Sequence, residues 1–401
     1  MKITKVEPIL CDGGWWAWVF VKIQTDEGIT GYGECSDSPG CPYGIAGCVK
    51  DLEDILVGQD PRPVEKLYWD MWRLTLQSPG GIAQKAMSGI DTALWDIKAK
   101  ALGVPVYELF GGPLRDKVRL YWTQCGSNRI WFPNLVGTPP IRTMEDIENL
   151  GREVVSRGFT AFKTNMLVPG DPASTIWASE GNCLNITNDI VETVERLIGT
   201  FRKAVGDKVD IALDLNFNFK TEAAIRIAKA LEPYNLMWLE VDTYDPEALL
   251  QIKQSTTVPI CSAESLYTSR GYKQFFALHA MDVAMVDVCW NGLTESRKIA
   301  NLADIYEIPI APHNFASYLS TLMCAHLCAS VPNVKILEFE VDNVPWKGDI
   351  LTEPLDIKDG YLNIPNRPGL GADLNEKEIA KRPWPGEYER WVLGKPLTRR
   401  R

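Results

Sequence analysis

The chain has 401 residues, with 42 Lys and Arg against 52 Asp and Glu, so its formal net charge is −10. Apolar residues make up 45% of the sequence and charged residues 23%, which is typical of a globular protein with a sizeable core and excludes a disordered or fibrous chain. The acidic balance argues against a nucleic-acid partner, because phosphate binding needs a concentrated basic patch.

The N-terminal sequence and the cysteines indicate a cytoplasmic protein outside the membrane. MKITKVEPIL lacks the order of basic, apolar and small residues that a signal peptide has. The apolar run at 15–21 is too short to cross a bilayer. The ten cysteines are scattered without a C-x-x-C pair, which favours reduced thiols.

Residues 1–115 predict an α+β unit. Strand patterns at 3–10, 15–24 and 30–34, with a turn at 26–28, indicate a three-stranded meander. Apolar residues at helical spacing follow at 46–57, 64–76 and 83–102, and Gly103 ends the last helix.

From about residue 118, short apolar strands alternate with helical stretches, a pattern typical of a parallel α/β sheet. Most of these strands are apolar at consecutive positions, as expected where helices cover both faces. Residues 166–188 form a long insertion after the second strand, and loops of that length tend to be functional or mobile. The eight strand candidates are RLYWTQ, FTAFKTN, VDIALDLN, LMWLE, VPICSA, DVAMVDV, IPIAPHN and KILEFE.

Titratable residues stand at or near the carboxyl ends of six strands. Their spacing matches one strand, one helix and two short loops of a (β/α)8 barrel, so we expect them around one mouth of a single barrel. Barrel enzymes place their active sites at that mouth. The six residues are Asp214, Glu240, Glu264, Asp287, His313 and Glu338.

Three of the six, Asp214, Glu240 and Glu264, are carboxylates on consecutive strands. They repel one another unless a cation lies among them. Ligands that offer only oxygen suit Mg²⁺, with Mn²⁺ as the alternative, and the lack of thiolate or imidazole in the trio disfavours zinc.

His313 and Lys163 are the candidate proton-transfer and cationic groups. Asp287, one strand before His313, would fix the imidazole tautomer and raise its basicity, making a general acid/base. Lys163 can neutralise a carboxylate, act as a base or form a Schiff base, as in a metal-free aldolase. A metal beside an acid/base is typical of proton abstraction next to a carboxylate, because the enediolate that forms needs positive charge.

In these residues the chain resembles the enolase superfamily and, within it, the mandelate racemase subgroup. The resemblance covers nearly the whole chain, including Gly31-Tyr32-Gly33-Glu34 and the stretches 89–112 and 359–371. It implies an N-terminal α+β capping domain at 1–115, to which 370–401 returns, and a (β/α)7β TIM-like barrel at 116–369. It also implies a symmetric homo-oligomer.

The resemblance also implies roles for the site residues. One Mg²⁺ is held by Asp214, Glu240 and Glu264, and His313 is the acid/base paired with Asp287. Glu338 is a hydrogen-bond donor or electrophile near the substrate carboxylate.

Four residues are candidate substrate contacts. The resemblance places Asn216 beside the substrate or the metal ligands, and Asn165 at the position of the second lysine of the Lys-x-Lys pair found in racemases. Trp16, in the loop 13–16, either shapes specificity or packs in a domain interface. Arg129, after the first barrel strand, either contacts a distal substrate group or forms a surface salt bridge.

Asn165 is also a departure from the subgroup, whose racemases carry Lys-x-Lys with the second lysine as a base. Here the motif is Lys163-Thr164-Asn165, which leaves Lys163 as the partner of the substrate carboxylate. We therefore expect a Mg²⁺-dependent hydro-lyase that dehydrates an aldonate or aldarate to a 2-keto-3-deoxy acid. The alternative is a racemase or epimerase of a 2-hydroxy acid.

A second departure is Trp290-Asn291-Gly292-Leu293, where relatives usually have a Gly-Gly pair. It leaves the register around Asp287 open by one position.

Overall fold

The computed structural model describes residues 1–37, 40–176 and 186–386, together with the backbone of 389–392 and 395–398. Part of the predicted insertion, 177–185, therefore lies outside the described residues. Among the residues described, no helix has the length and apolar character needed to cross a bilayer.

The N-terminal unit is a meander with helices packed on it. Strands β1 (Ile3–Asp12), β2 (Ala17–Thr25) and β3 (Thr30–Glu34) pair antiparallel in chain order. Helices α1 (Pro42–Leu56), α2 (Val64–Leu74) and α3 (Gly81–Leu102) follow. Strand β3 runs so close to α3 that a Cβ at Gly33 would lie 2.1 Å from the Gly89 carbonyl oxygen. The glycine is therefore required for this contact.

Eight parallel strands form the barrel. The strands are β4 (Lys117–Thr123), β5 (Ala161–Thr164), β8 (Asp210–Asp214), β9 (Trp238–Glu240), β10 (Ile260–Ser262), β11 (Val283–Asp287), β12 (Ile310–His313) and β13 (Leu337–Glu340), and the hairpin of β6 (Leu167–Val168) and β7 (Ser174–Thr175) follows β5. The sheet runs in the order β12-β11-β10-β9-β8-β5-β4, with β13 parallel to β4, and a bridge from Ile310 to Val334 joins its two edges.

Helices cover the outside of the barrel, with short 3₁₀ turns at Val106–Phe110 and Glu232–Tyr234. These helices are α4 (Ser127–Trp131), α5 (Pro133–Val136), α6 (Met144–Ser156), α7 (Asn188–Val205), α8 (Thr221–Leu231), α9 (Pro246–Gln254), α10 (Thr268–Ala277), α11 (Val288–Ile305) and α12 (Tyr318–Ser330). A last helix, α13 (Glu376–Ala380), belongs to the C-terminal segment. The predicted α/β class, TIM-like barrel and α+β cap are confirmed.

The C-terminal segment returns to the N-terminal sheet. The Tyr32 hydroxyl donates to Glu376 at 2.6 Å, and Lys22 forms an ion pair with the same carboxylate. Cys11 and Pro383 form an antiparallel bridge. The domain boundaries at 115 and 370 stay predictions. Short antiparallel pairs, β14 (Ile357–Lys358) with β15 (Tyr361–Asn363) and β16 (Glu389–Val392) with β17 (Lys395–Thr398), complete the segment.

The barrel interior is apolar below its mouth. Successive side chains in a strand alternate between faces, so the residue two positions beyond each interior side chain also points inward, one layer higher. Two positions beyond Ala161, Ala212 and Ala311 stand Lys163, Asp214 and His313. The interior layer comprises Tyr121, Ala161, Ala212, Trp238, Cys261, Met285, Ala311 and Ile336.

Candidate active site

Eight titratable side chains meet above this apolar layer, and we call them the mouth cluster. Seven of them are buried and Glu264 is half-buried. They come from the carboxyl ends of β5, β8, β9, β11, β12 and β13 and from the turns just after β9 and β10. The cluster comprises Lys163, Asp214, Glu240, Asp242, Glu264, Asp287, His313 and Glu338.

Asp214, Glu240 and Asp242 form the tightest group of carboxylates, with one ligand oxygen from each lying within 4.8 Å of the others. Burial, reinforced by neighbouring carboxylates, raises the pKa of Glu240 and of Asp242 well above the usual range. Three buried oxygen donors with this mutual repulsion fit a divalent cation such as Mg²⁺.

Asp242 was missed by the sequence analysis, although a signal for it exists. It stands two residues after Glu240, and the alternation of a strand places such residues on one side.

Glu264, the third predicted ligand, has another contact in this structure. Its Oε2 lies 3.1 Å from Nε2 of His313. The preceding residue, Ala263, has a φ of 91°, a conformation that L-residues rarely adopt and that turns the chain at the end of β10. Tyr272 donates to the Ala263 carbonyl at 2.8 Å and holds this turn. Glu264 as a metal ligand stays a prediction.

His313 and Asp287 form a close pair. Nδ1 of His313 lies 2.6 Å from Oδ2 of Asp287, whose other oxygen accepts from the Trp290 N–H at 2.7 Å. The register around Asp287 is therefore the one in which this residue faces His313. The carboxylate fixes the proton on Nδ1 and leaves Nε2 toward the cluster. Burial alone lowers the pKa of His313, but Glu264, Glu338 and Asp287 together raise it to about 10. A divalent cation bound among these carboxylates would oppose that rise and favour the neutral imidazole.

Lys163 lies among the carboxylates. Its Nζ is 2.9 Å from Glu240, 3.1 Å from Glu338 and 3.8 Å from Asp214. Burial disfavours the ammonium, but Glu240 and Glu338 outweigh it and raise the pKa of Lys163. Because a Schiff-base lysine must be neutral to attack, this environment favours the electrostatic role over the aldolase alternative.

Glu338 accepts hydrogen bonds here. Thr123 Oγ1 donates to it at 2.5 Å and the Asn314 N–H at 2.7 Å. Burial acts to raise the pKa of Glu338, but Lys163 and His313 lower it to about 2. The role of Glu338 as a hydrogen-bond donor or electrophile toward a substrate stays a prediction.

Asn165 and Asn216 support Asp214. Asn165 Nδ2 donates to Asn216 Oδ1 at 2.6 Å, and Asn216 donates to Asp214 through Nδ2 at 2.9 Å and its backbone N–H at 2.7 Å. Ser127 donates to Asn165 Oδ1. Both asparagines lie at the edge of the mouth cluster, and their contact with substrate stays a prediction.

Trp16 does not contact the mouth cluster directly in the ring contacts described, but it packs on Phe315, which packs on His313. Its ring centroid lies 5.1 Å from that of Phe315, which lies 4.8 Å from the His313 ring. Trp15 stacks on Phe132 at 4.6 Å. The loop 13–16 thus packs aromatic rings between cap and barrel, and a role for Trp16 in specificity stays a prediction.

Arg129 is not brought to the mouth cluster. Its guanidinium lies 2.8 Å from Asp342 and 2.8 Å from Glu153, and four of its N–H groups donate to these two carboxylates. The structure therefore supports the salt-bridge alternative, with the difference that the arginine is buried.

Comparison with known families matches both parts of the chain. Residues 16–111 match the N-terminal domain of the mandelate racemase/muconate lactonizing enzymes, and residues 146–378 match the enolase C-terminal domain-like family. The D-xylonate dehydratase of Haloferax volcanii is 31% identical over 93% of this chain and 87% of its own. The D-galactonate dehydratase of Pectobacterium atrosepticum is 30% identical over 95% of this chain and 94% of its own.

A solved structure is similar over the whole fold. It is a protein of Burkholderia xenovorans described as an L-alanine-DL-glutamate epimerase, 36% identical, with a TM-score of 0.92 over 96% of this chain and 98% of that one. A second structure of that protein, with magnesium and fumarate bound, has a TM-score of 0.91. The family resemblance is thus confirmed: the chain belongs to the mandelate racemase/muconate lactonizing enzyme family of the enolase superfamily.

Proposed function

We propose that the protein is a hydro-lyase that dehydrates an acid sugar, an aldonate or aldarate, to a 2-keto-3-deoxy acid. The observation that carries the proposal is the His313–Asp287 pair at 2.6 Å, which faces buried carboxylates and the single cationic Lys163. The dehydratase names of the two curated relatives support the same reaction class.

The proposed metal ligands are Asp214, Glu240 and Glu264, with Asp242 as a further oxygen donor beside them. Mg²⁺, or Mn²⁺, bound there supplies positive charge where the oxygens of a substrate carboxylate become negative. Lys163 contributes a second positive charge at the same place.

The chain's own residues account for the proton transfers. Nε2 of His313 removes the proton α to the carboxylate, and the C–H electron pair moves into the enediolate. Asp287 holds the other ring nitrogen and stabilises the imidazolium that forms. The imidazolium then gives its proton to the β-hydroxyl, which leaves as water as the C–O bond breaks. The enol product tautomerises to the 2-keto-3-deoxy acid.

Asn165 favours dehydration over racemisation. An amide cannot take a proton as a base, and this one is already bonded to Asn216 and Ser127. A site with one base can remove and return a proton on one face of the α-carbon, whereas inversion of configuration by two bases needs one on each face.

The test is a panel of aldonates and aldarates, including D-xylonate, D-galactonate and D-gluconate, assayed for 2-keto acid with Mg²⁺. We expect turnover on one or a few of them, and a loss of roughly 10²- to 10⁴-fold in His313→Asn. His279→Asn is the matched control, since His279 is exposed and precedes the start of β11, whereas Asp287 stands at the opposite, carboxyl end of that strand. Turnover that survives both EDTA and His313→Asn would contradict the mechanism.

A racemase or epimerase is the second candidate function, because a structural neighbour is described as an epimerase. The panel is therefore run in D₂O. Deuterium in recovered substrate of inverted configuration favours the epimerase, whereas deuterium only in product or in substrate of retained configuration favours the dehydratase.

A further inference from the structure

Helix α3 of the cap lies along the start of α11, directly behind the Asp287–His313 pair. Lys85, Ser88 and Asp91 follow one another at intervals of three residues, so they share one face of α3. All three are buried, and each contacts residues between Val288 and Thr294.

These contacts replace hydrogen bonds that α11 does not make itself. The helix is kinked at Gly292, whose φ is 74° and ψ 168°. A kink leaves backbone groups on both sides without partners in the helix. Ser88 donates to the Cys289 carbonyl at 2.7 Å, and Asp91 accepts from the Thr294 N–H at 2.9 Å. The cap therefore holds the turn that follows Asp287.

Trp290 lies at the centre of this turn and contacts both members of the pair. Its N–H donates to Asp287, and its ring meets the His313 ring edge-on with centroids 5.5 Å apart. On the cap side, its indole N–H donates to the Ser36 carbonyl at 2.8 Å, and Nζ of Lys85 lies 3.9 Å from its ring centroid. A desolvated cation at this distance from an indole attracts it substantially.

Lys85 is itself fixed in place. Its ammonium forms an ion pair with Asp37, and both side chains are largely buried. A charged group held from the cap thus meets the ring of Trp290, while the same ring contacts the ring of the proposed base at an angle of 63°.

We propose that the cap positions the base: Trp290 is a positioning residue for the Asp287–His313 pair, and Lys85 holds Trp290 in place. The inference rests on the proposed function for the role of His313 as base, whereas the chain of contacts does not depend on any substrate. Lys85 acts through Trp290 and makes no bond to the reacting atoms.

The direct test is the ring resonances of His313 in protein labelled at histidine with ¹⁵N and ¹³C, with and without Mg²⁺. The chain has three histidines, so His313→Asn identifies the signal. We expect Lys85→Met to move it by more than its linewidth and leave His279 and His326 in place, and Lys85→Arg to restore it. Trp290→Phe, which loses the bond to Ser36, is the second variant if Lys85→Met does not fold, and we expect the same movement.

Lys298→Met is the matched control. Lys298 also joins α11 to the cap, through Glu65 at 3.0 Å and the Tyr68 ring at 5.3 Å, but it is two helical turns farther from the base. We expect it to leave the His313 signal unchanged.

Kinetics on the substrate found in the panel give the second readout. We expect Lys85→Met to lower kcat by roughly tenfold to a hundredfold with KM unchanged, and Lys85→Arg to recover it. A raised KM with unchanged kcat would assign Lys85 to substrate binding and overturn the proposal. So would an unchanged His313 signal in Lys85→Met. If the parent turns over no member of the panel, the proposed function fails while the resonances still decide the positioning.

Discussion

Strand β13 contributes one carboxylate to each of two largely buried groups of charged residues, and the two groups are built differently. In the mouth cluster six carboxylates face two side chains that can be positive, Lys163 and His313. Beyond it lies a second set, here called the flanking group, which begins two residues after Glu338 on β13. There Lys347 lies 2.9 Å from Glu340, and Arg129 joins Asp342 and Glu153. The flanking group comprises Arg129, Glu153, Glu340, Asp342 and Lys347.

The difference separates a structural role from a functional one. Buried charges that are matched by protein partners are satisfied within the fold, and breaking such a pair costs stability. A surplus of buried carboxylates is stable only with an added cation or bound protons, and perturbed groups of this kind concentrate at functional sites. Changes in the mouth cluster should therefore alter ligand binding and turnover, whereas changes in the flanking group should alter only the stability of the fold.

The sharpest comparison exchanges one lysine in each group. Lys163→Met removes positive charge where the proposed mechanism places the substrate carboxylate, so we expect turnover to fall by roughly 10²- to 10³-fold. Lys347→Met leaves Glu340 buried without its cation, so we expect turnover within a few-fold of the parent but a loss of about 3 kcal/mol in the free energy of unfolding. The measurements are the acid-sugar assay and urea unfolding. Equal losses of turnover in the two variants would remove the distinction.

A variant of Arg129 tests whether the flanking group contributes to stability alone or also to catalysis. Arg129→Met leaves Asp342 buried and unpaired, and we expect the free energy of unfolding to fall by about 3 kcal/mol with KM unchanged. Arg119→Met is the control, because the pair of Arg119 with Asp210 is partly exposed and worth less than about 1 kcal/mol. A KM that rises tenfold in Arg129→Met would restore the substrate contact that the sequence suggested.

Added Mg²⁺ should distinguish the groups without any substrate. At a concentration of one hundred times Kd, a ligand that binds only the folded state adds about 2.7 kcal/mol to the free energy of unfolding. We expect this gain in the parent and in Glu340→Gln, and its loss in Asp214→Asn. Calorimetry gives Kd and thermal unfolding gives the gain. Stabilisation of Asp214→Asn equal to that of the parent would place the cation elsewhere.

Sequence reasoning reached the fold and part of the site for a physical reason. Strand alternation and the repeat length of a barrel fix which residues reach the mouth, so Asp214, Glu240, Asp287 and His313 could be found from spacing. The partner of a charged side chain depends on the neighbouring strand and loop, which no single-chain pattern specifies. For that reason the sequence did not distinguish Arg129 in a salt bridge from Arg129 at a substrate.

Two further features do not follow from the repeat length of the barrel. Asp242 was passed over because it follows its strand in a turn and breaks the interval between strand ends. The contact of Trp290 with Lys85 joins residues about two hundred positions apart, and it depends on how cap and barrel pack.

The smallest effect concerns Glu340, the flanking acid nearest the mouth cluster. Burial raises the pKa of Glu340 to about 7 even though Lys347 lowers it, and Glu338 adds to the rise. A carboxyl whose folded pKa lies above its unfolded value near 4.5 contributes stability below pH 4.5, and that contribution is lost as pH rises through 7.

Glu340→Gln removes this titration. The difference in the free energy of unfolding between the parent and the variant therefore excludes the contributions of the other titratable groups. We expect the free energy of unfolding of the parent to fall by about 2 kcal/mol relative to Glu340→Gln between pH 5 and pH 8. Urea unfolding at both pH values measures the difference. A difference that does not change with pH would mean that Lys347 matches Glu340 completely, which would make the contrast with the mouth cluster stronger still.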